Sequence, residues 1–350
     1  DLLIIVFEKS INFSVIFSKT TTPSAPIIWN KKNMTNKCRA IIVNAGNANA
    51  HTGDTGIKII NKYVNQLSKE VKCDKNEILV SSTGVIGEIF DHRKITNKIK
   101  NLNDNKKTDI LSAAKSIMTT DTYPKTSVKK FKIGSKIIRI YGFAKGSGMI
   151  SPNMGTMLAY IFIEANLNSN QLKKIIQTNV ENTFNSITVD SDTSTSDTLC
   201  LFSIGNQEKF GKKDLSLISK SVNQIMEDLS LQIIKDGEGI SKLIKVNIQN
   251  CKNVYQAKNV GLNIANSLLV KTAISGEDAN WGRVIMAIGK SYEKINPKKI
   301  KIYFGKNLVC ENGAAFKRIN IKKLDKYIKN KIIEITVDLS LGNKSKTIYS

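Results

Sequence analysis

The sequence predicts a mixed α/β protein, in which short apolar strands alternate with amphipathic helices. Three observations favour this class. The run Ala40–Asn44 is continuously apolar and enters a Gly/Asn turn, which is typical of a buried strand. Ile57–Val71 places apolar residues three and four positions apart, which is typical of a helix. Hydrophobic residues make up 41% of the 350 residues and charged residues 23%, an ordinary globular composition.

The other elements follow the same two patterns along the chain. Residues 1–7 predict a buried strand, because this apolar run is too short for a membrane helix and lacks the features of a signal peptide. The chain has no initiator Met, so we expect an incomplete N-terminus. The Lys- and Asn-rich stretch Asn101–Lys107 predicts an exposed loop. Further strands are predicted at Glu77–Ser81, Lys136–Phe143, Leu158–Ile163, Lys299–Phe304 and Ile332–Leu339. Further helices are predicted at Leu111–Met118, Leu172–Phe184, Leu215–Ile234 and Lys322–Lys329.

The charge and cysteine patterns predict a cytoplasmic protein with no nucleic-acid or membrane partner. Lys and Arg number 53 against 29 Asp and Glu, a formal net charge of +24, but the lysines are scattered and carry no nucleic-acid-binding signature. The five cysteines are far apart and odd in number, which favours buried thiols in a reducing compartment. They are Cys38, Cys73, Cys200, Cys251 and Cys310.

Motifs for nucleotides and metals give no positive prediction. The sequence has no GxGxxG, and Gly282–Ser291 has six residues between its glycines where a phosphate loop has four. Asp190, Asp192 and Asp197 could offer oxygen ligands to a metal, but helix caps and turns use the same residue types. We therefore expect neither a metal nor a cofactor.

A glycine-rich segment, Ala144–Tyr160, contains the dipeptide Gly155-Thr156 just before an apolar strand. A threonine hydroxyl can attack the preceding carbonyl, and a glycine at that carbonyl removes side-chain bulk and allows strained backbone angles. Cleavage would free the α-amine of Thr156 as a base for its own hydroxyl. The reference pKa of an α-amine is about 7.7–8.0 against about 10.4 for lysine, so this amine needs less adjustment than Lys145 would. Taken alone, the dipeptide is also compatible with an ordinary strand start.

Seven short blocks occur in one order along nearly the whole chain, and together they resemble the ornithine acetyltransferase (glutamate N-acetyltransferase) family. The blocks are Asn44–Ala50 with Thr52-Gly53, Ser82–Gly87, Met118–Thr122 with Pro124-Lys125, Ala144–Ala159, Phe184-Asn185 with Val189–Thr198, Asp236–Gly239 with Lys242, and Leu269–Ala273 with Gly276–Arg283. The resemblance implies the family's α/β fold, layered helix/sheet/sheet/helix, which related self-processing aminopeptidases share.

The resemblance also implies the roles of individual residues. Thr156 looks like the nucleophile, with self-cleavage after Gly155 into an α chain, 1–155, and a β chain, 156–350. Thr83 and Gly84 look like the oxyanion hole, and Thr119, Lys145 and Glu238 match positions that hold the substrate. Thr156 also matches a position that holds the substrate.

The implied reaction is acetyl transfer from N-acetylornithine to glutamate in arginine biosynthesis, through an acetyl-threonine. It needs no cofactor, and acetyl-CoA is a second donor if the enzyme is bifunctional. The family assembles its α and β chains as heterotetramers. Two departures stand out: Ser191 replaces the usual Gly, and nothing after Gly342 matches the family tail that completes the substrate site, so we expect a truncated or divergent C-terminus.

Two other functions remain open at this point. A self-processing aminopeptidase or amidohydrolase of related fold would use the same nucleophile with water as acceptor, and the positions of Lys145 and Glu238 favour the transferase over it. A non-catalytic basic binding protein would show no cleavage and a salt-sensitive affinity for nucleic acid.

Overall fold

The computed structural model describes residues 1–102, 109–151, 157–206 and 210–350. The chain forms two compact units. The first unit comprises residues 1–185 and 192–236, and the second comprises 186–191 and 237–350. Each contains a β-sheet and helices, so the predicted mixed α/β class is confirmed. No helix among the described residues is long and apolar enough to cross a membrane.

The strands and helices alternate along the chain. The strands are β1 Leu2–Phe17, β2 Lys37–Asn47, β3 Ile78–Val85, β4 Lys125–Ile133, β5 Lys136–Lys145, β6 Leu158–Ile163, β7 Thr198–Ser203, β8 Leu243–Cys251, β9 Lys301–Phe304, β10 Asn307–Glu311, β11 Ala314–Ala315, β12 Ile332–Asp338 and β13 Lys344–Tyr349. The helices are α1 Ala25–Asn33, α2 Gly53–Val71, α3 Arg93–Lys100, α4 Ile110–Ser116, α5 Ser169–Val180, α6 Lys212–Lys235, α7 Val254–Ala265, α8 Leu268–Ser275, α9 Trp281–Gly289 and α10 Ile321–Ile328.

The first unit is built on a seven-stranded mixed sheet in the order β3-β2-β1-β7-β6-β5-β4. β2 and β3 run parallel, as do β6 and β7, whereas β1 is antiparallel to both of its neighbours. β5 pairs antiparallel with β6, and Lys145 at its end lies opposite Leu158. The carboxyl ends of β3 and β5 and the start of β6 carry the residues of chemical interest.

Apolar side chains fill both faces of this sheet. On one face, α1, α2 and α3 pack on β2 and β3 through residues such as Trp29, Tyr63 and Leu67. On the other face, α4 packs over a group of stacked aromatic rings that includes Phe143, Phe162 and Phe202. This rigid packing fixes the strand ends at which the polar residues cluster.

The second unit has a six-stranded sheet in the order β11-β10-β9-β12-β8-β13. β8 and β12 run parallel, and β13 adds antiparallel to β8. Helices α7 to α10 contribute to its apolar core, and Trp281 at the start of α9 packs against that core. Ser191, where the family usually has Gly, adopts the left-handed conformation with φ +67°.

Most predicted elements are confirmed, with shifts of a few residues at their ends. The opening strand is longer than expected, because β1 continues past Glu8 and Lys9 to Phe17. Four cysteines are buried thiols and Cys73 is half-buried. The expected exposed loop at Asn101–Lys107 falls largely outside the described residues.

Candidate active site

Lys145 brings together three residues that are far apart in the sequence. It is the last residue of β5 and only 3% exposed. Its Nζ donates to Thr83 Oγ1 at 3.1 Å and to Thr119 Oγ1 at 2.7 Å. Thr83 is buried near the end of β3, and Thr119 is exposed in the bend between α4 and β4. Thr83, Thr119 and Lys145, all predicted as site residues, therefore meet in the first unit.

The direction of these hydrogen bonds determines what the two hydroxyls can do. A lysine ammonium only donates, so both threonine oxygens accept from Lys145. Each hydroxyl hydrogen therefore points away from Lys145 and can be donated to another acceptor. A buried cation with two such hydroxyls suits a carboxylate or an oxygen that becomes negative during a reaction, because the low local dielectric strengthens both interactions.

Gly84 follows Thr83 near the end of β3, where its backbone lies close to that of β2. It pairs with Gly46 in the parallel register and adopts a φ of +129°, which side chains rarely allow. A Cβ at this position would lie 2.2 Å from the carbonyl carbon of Gly46. The position therefore requires glycine for a structural reason as well as for any role in binding an oxyanion.

Two aspartates and a second lysine form a buried ion cluster beside Lys145. Lys125 Nζ lies 2.6 Å from Asp121 Oδ1 and 2.6 Å from Asp236 Oδ2. Asp121 also accepts from the backbone N–H groups of Thr119, at 3.1 Å, and Gly146, at 2.7 Å. Burial disfavours the charged form of Asp121, but Lys145, the Gly146 N–H and Lys125 outweigh burial and hold the pKa of this carboxyl below its ordinary value. The cluster thus fixes the backbone at Thr119 and directly after Lys145.

Asp197 anchors the residue that follows Thr156 in the sequence. Its carboxyl is fully buried, and Oδ1 accepts from the Met157 N–H at 2.9 Å, while the Thr198 N–H donates to the Met157 carbonyl at 3.0 Å. Burial raises the pKa of Asp197 well above its ordinary value, against the opposing effects of the Met157 N–H, the Ser18 hydroxyl and Lys145. A carboxyl whose neutral form is favoured by burial therefore lies against the start of β6.

The remaining predicted site residues lie elsewhere. Gly155 and Thr156 are outside the described residues, which resume at Met157. Glu238 is exposed in the second unit, in a turn that follows Asp236. Within the described ranges, no three or more His, Cys, Asp or Glu residues are grouped in a way that could hold a metal ion.

Sequence reasoning did not single out Asp121, Lys125 or Asp236 as functional, and it considered Asp197 only as a metal ligand. Each lies in one of the seven blocks that carry the resemblance, and Asp121, Lys125 and Asp236, but not Asp197, also lie within a few residues of a predicted site residue. That proximity is the signal that could have identified them. Their mutual contacts, however, join positions up to 111 residues apart.

Comparison with known proteins places the whole chain in one group. The model of the ArgJ family matches residues 1–350. The chain is 41% identical over 358 residues to the arginine biosynthesis bifunctional protein ArgJ of Bartonella henselae, covering 100% of this chain and 87% of that protein. It is 40% identical to the protein of the same description from Agrobacterium fabrum, with the same coverage.

A solved structure agrees with these relatives. The crystal structure of arginine biosynthesis bifunctional protein argJ from Bacillus halodurans is similar to this chain with a TM-score of 0.51 and 34% identity. The similarity covers 53% of this chain and 90% of that chain.

Proposed function

The chain belongs to the ArgJ family, and we propose that it is an acetyltransferase of arginine biosynthesis that moves an acetyl group from N-acetylornithine to glutamate. The observation that carries this proposal is the buried Lys145 ammonium bound to the hydroxyls of Thr83 and Thr119. Such a group suits the α-carboxylate that ornithine and glutamate share. The full-length similarity to proteins named for arginine biosynthesis supports the same pathway.

The proposed enzyme matures by cutting its own chain between Gly155 and Thr156. The Thr156 hydroxyl oxygen attacks the Gly155 carbonyl carbon, the bond from that carbon to the Thr156 nitrogen breaks, and the hydroxyl proton ends on the freed amine. Water then hydrolyses the resulting ester, which leaves a carboxylate on Gly155. The hydrogen bonds of Met157 to Asp197 and Thr198 support this step, because they hold the chain directly after Thr156.

Acetyl transfer then follows in two half-reactions on Thr156. Its α-amine takes the hydroxyl proton as the oxygen attacks the acetyl carbonyl of N-acetylornithine, and it returns the proton to the departing amine of ornithine. Glutamate enters the same pocket and takes the acetyl group by the reverse sequence. Thr83 and Gly84 stabilise the oxyanion in both directions, Lys145 and Thr119 hold the α-carboxylate, and Glu238 binds the ammonium of ornithine.

Two extensions of the proposal concern partners. The relatives are described as bifunctional, which supports acetyl-CoA as a second donor to Thr156. The 1–155 and 156–350 chains of two precursors would form an α2β2 assembly. No bound cofactor is required for either extension.

Intact-mass analysis under denaturing conditions tests the nucleophile. The wild-type protein should give two chains that meet at Gly155 and Thr156, and Thr156→Ala should stay whole. N-acetylornithine without glutamate should then add one acetyl group to the first residue of the 156–350 chain, and double-reciprocal plots should be parallel.

The contrary results are equally definite. An uncut wild-type protein, or intersecting plots together with no acetylated peptide after rapid quench, would refute the covalent mechanism. Acetate release at the same rate with and without glutamate would identify a hydrolase instead. Adding acetyl-CoA in place of N-acetylornithine measures the second donor separately.

A further inference from the structure

Lys125 lies completely buried between two carboxylates, yet the proposed reaction does not use it. Its Nζ is 2.6 Å from both Asp121 Oδ1 and Asp236 Oδ2, and the three side chains are 0%, 0% and 3% exposed. Burying these charges costs free energy that the pairing must offset, and the loss of one partner leaves the others uncompensated. An ion cluster of this kind calls for an explanation beyond stability.

Asp121 divides its two oxygens between the two lysines. Oδ1 accepts from Lys125 Nζ and from the Gly146 N–H, at 2.6 and 2.7 Å. Oδ2 accepts from the Thr119 N–H and lies 3.9 Å from Lys145 Nζ, at the outer limit of an ion pair. Lys145 donates short hydrogen bonds to the two threonine hydroxyls.

The same cluster holds the segments on either side of the predicted carboxylate site. Asp236 accepts from the backbone N–H of Thr122 at 2.9 Å and from its hydroxyl, and the Asp236 carbonyl accepts from Ser147 Oγ at 2.6 Å. Lys125 therefore ties the bend that contains Thr119 to the loop that follows Lys145. The four buried charges of Lys125, Lys145, Asp121 and Asp236 also balance, two of each sign.

We propose that Lys125 is a positioning residue that engages Asp121 and so prevents a short ion pair between Asp121 and Lys145. The Lys145 ammonium then keeps its orientation toward the two hydroxyls and presents its charge to the α-carboxylate of each substrate. Without Lys125, the Asp121 carboxylate would draw Lys145 away from that carboxylate. This inference rests on the proposed function, because it assigns Lys125 a part in binding the substrates named there.

Steady-state kinetics of Lys125→Met test the proposal. Loss of a hydrogen bond to a charged group predicts a KM for N-acetylornithine and for glutamate higher by about tenfold to a hundredfold, with kcat little changed. The variant should also lose much of the wild-type preference for glutamate over its α-carboxamide, since only the carboxylate uses the Lys145 charge. Lys125→Arg, which keeps the charge, should restore most of both properties.

A second substitution separates positioning from simple support of the fold. Adding Asp121→Asn to Lys125→Met removes the carboxylate that would capture Lys145, so KM should return toward the wild-type value. A purely structural role predicts the opposite, because the double variant loses more of the cluster. The same double variant carries the test if Lys125→Met alone does not fold, since one charge of each sign is removed.

Arg139→Met is the matched control, because Arg139 lies on β5, next to the strand β4 that begins at Lys125, and forms a partly exposed ion pair with Glu164 at 3.1 Å. It should leave both KM values unchanged. A folded, processed Lys125→Met enzyme with wild-type KM and wild-type preference for the carboxylate would overturn the inference while leaving acetyl transfer intact. Absence of acetyl transfer by the wild-type protein would instead refute the proposed function, and the inference with it.

Discussion

At the scale of single residues, the hydroxyl of Thr83 is the group whose chemistry the hydrogen bonds define most closely. Lys145 occupies its oxygen as a donor, so its hydrogen is available to an oxyanion. Thr83→Val, which keeps the shape and removes the hydroxyl, should lower kcat by about 10²–10³. Rates measured on processed enzyme test this prediction. A processed, folded variant with near-wild-type turnover would show that the side chain is not a required donor, although a backbone donor at Gly84 would survive that result.

The buried carboxyl of Asp197 predicts how the stability of the protein depends on pH. Its pKa is raised by burial, so between the unfolded pKa, about 3.9, and the higher folded pKa only the unfolded state ionises. The wild-type free energy of unfolding therefore falls across this window as the pH rises, and Asn cannot titrate. The free energy of unfolding of Asp197→Asn should therefore rise relative to that of the wild type, by about 1.4 kcal/mol for each pH unit above pH 4, until the folded pKa is reached.

Chemical denaturation at several pH values, in the uncleaved Thr156→Ala background, measures this difference. Asp109→Asn is the control, because Asp109 is exposed and the Ser112 N–H lowers its pKa. The stabilising contribution of Asp109 is present above the unfolded pKa and lost in acid. The curve of unfolding free energy against pH for Asp109→Asn should therefore be parallel to that of the Thr156→Ala background above about pH 5. Parallel curves for Asp197→Asn as well would contradict a neutral buried carboxyl.

At the scale of elements, the close approach of β2 and β3 makes a prediction for Gly84. Gly84→Ala places a methyl group 2.2 Å from the Gly46 carbonyl carbon at a φ of +129°. Gly87→Ala is the matched control, because Gly87 also has a positive φ, +87°, but nothing within 4 Å of the added carbon. Backbone strain costs on the order of 1–3 kcal/mol at such positive φ values, and only Gly84→Ala adds a clash, so it should be clearly less stable than Gly87→Ala and process more slowly. Equal melting temperatures would show that the two strands separate easily.

The elements differ in how well their sequences predict them. β6 is predicted at its observed bounds, Leu158–Ile163, because all six residues are apolar and buried in the middle of the sheet. β4, at the edge, is missed because exposed lysines interrupt its apolar residues, and β8 is missed because Lys245 and Asn247 interrupt an apolar run. β7 is buried throughout but is also missed, because Thr198 and Ser203 leave only four apolar residues between them. Local patterns therefore identify strands by the length of their apolar run more than by their burial.

The candidate site was only partly predictable for a related reason. Thr83, Thr119 and Lys145 are named by the family resemblance, and the structure brings their polar atoms together. The contacts of Lys125 with Asp121 and Asp236 depend on the fold, because Asp236 lies 111 residues further along the chain. No local spacing rule describes a contact of that separation. The roles of the predicted residues stay predictions until the substitutions are made.

At the scale of the whole molecule, the proposed cut falls between neighbouring strands of one sheet. Strands β1 to β5 precede it and β6 and β7 follow it, with β5 paired to β6 and β1 paired to β7. Aromatic side chains from both sides share one core, including Phe143 and Phe202. The cleaved chains should therefore coelute in native gel filtration and separate only in denaturant. Elution as two separate chains in native buffer would contradict this pairing.

The interleaved order of that sheet also changes what unfolding means before and after the cut. β1 from the first chain lies between β2 and β7, so neither proposed product contains all the neighbours that its own strands need. An intact precursor can recover its fold within one molecule, whereas a matured protein that has unfolded must find a separate partner in solution, at a rate set by concentration. Once cut, the protein would stay folded because it unfolds slowly, and not because it refolds efficiently. Synthesis as a single chain is then the efficient route to the assembled sheet. The proposed cleavage of the Gly155–Thr156 peptide bond removes the covalent link that makes this assembly intramolecular.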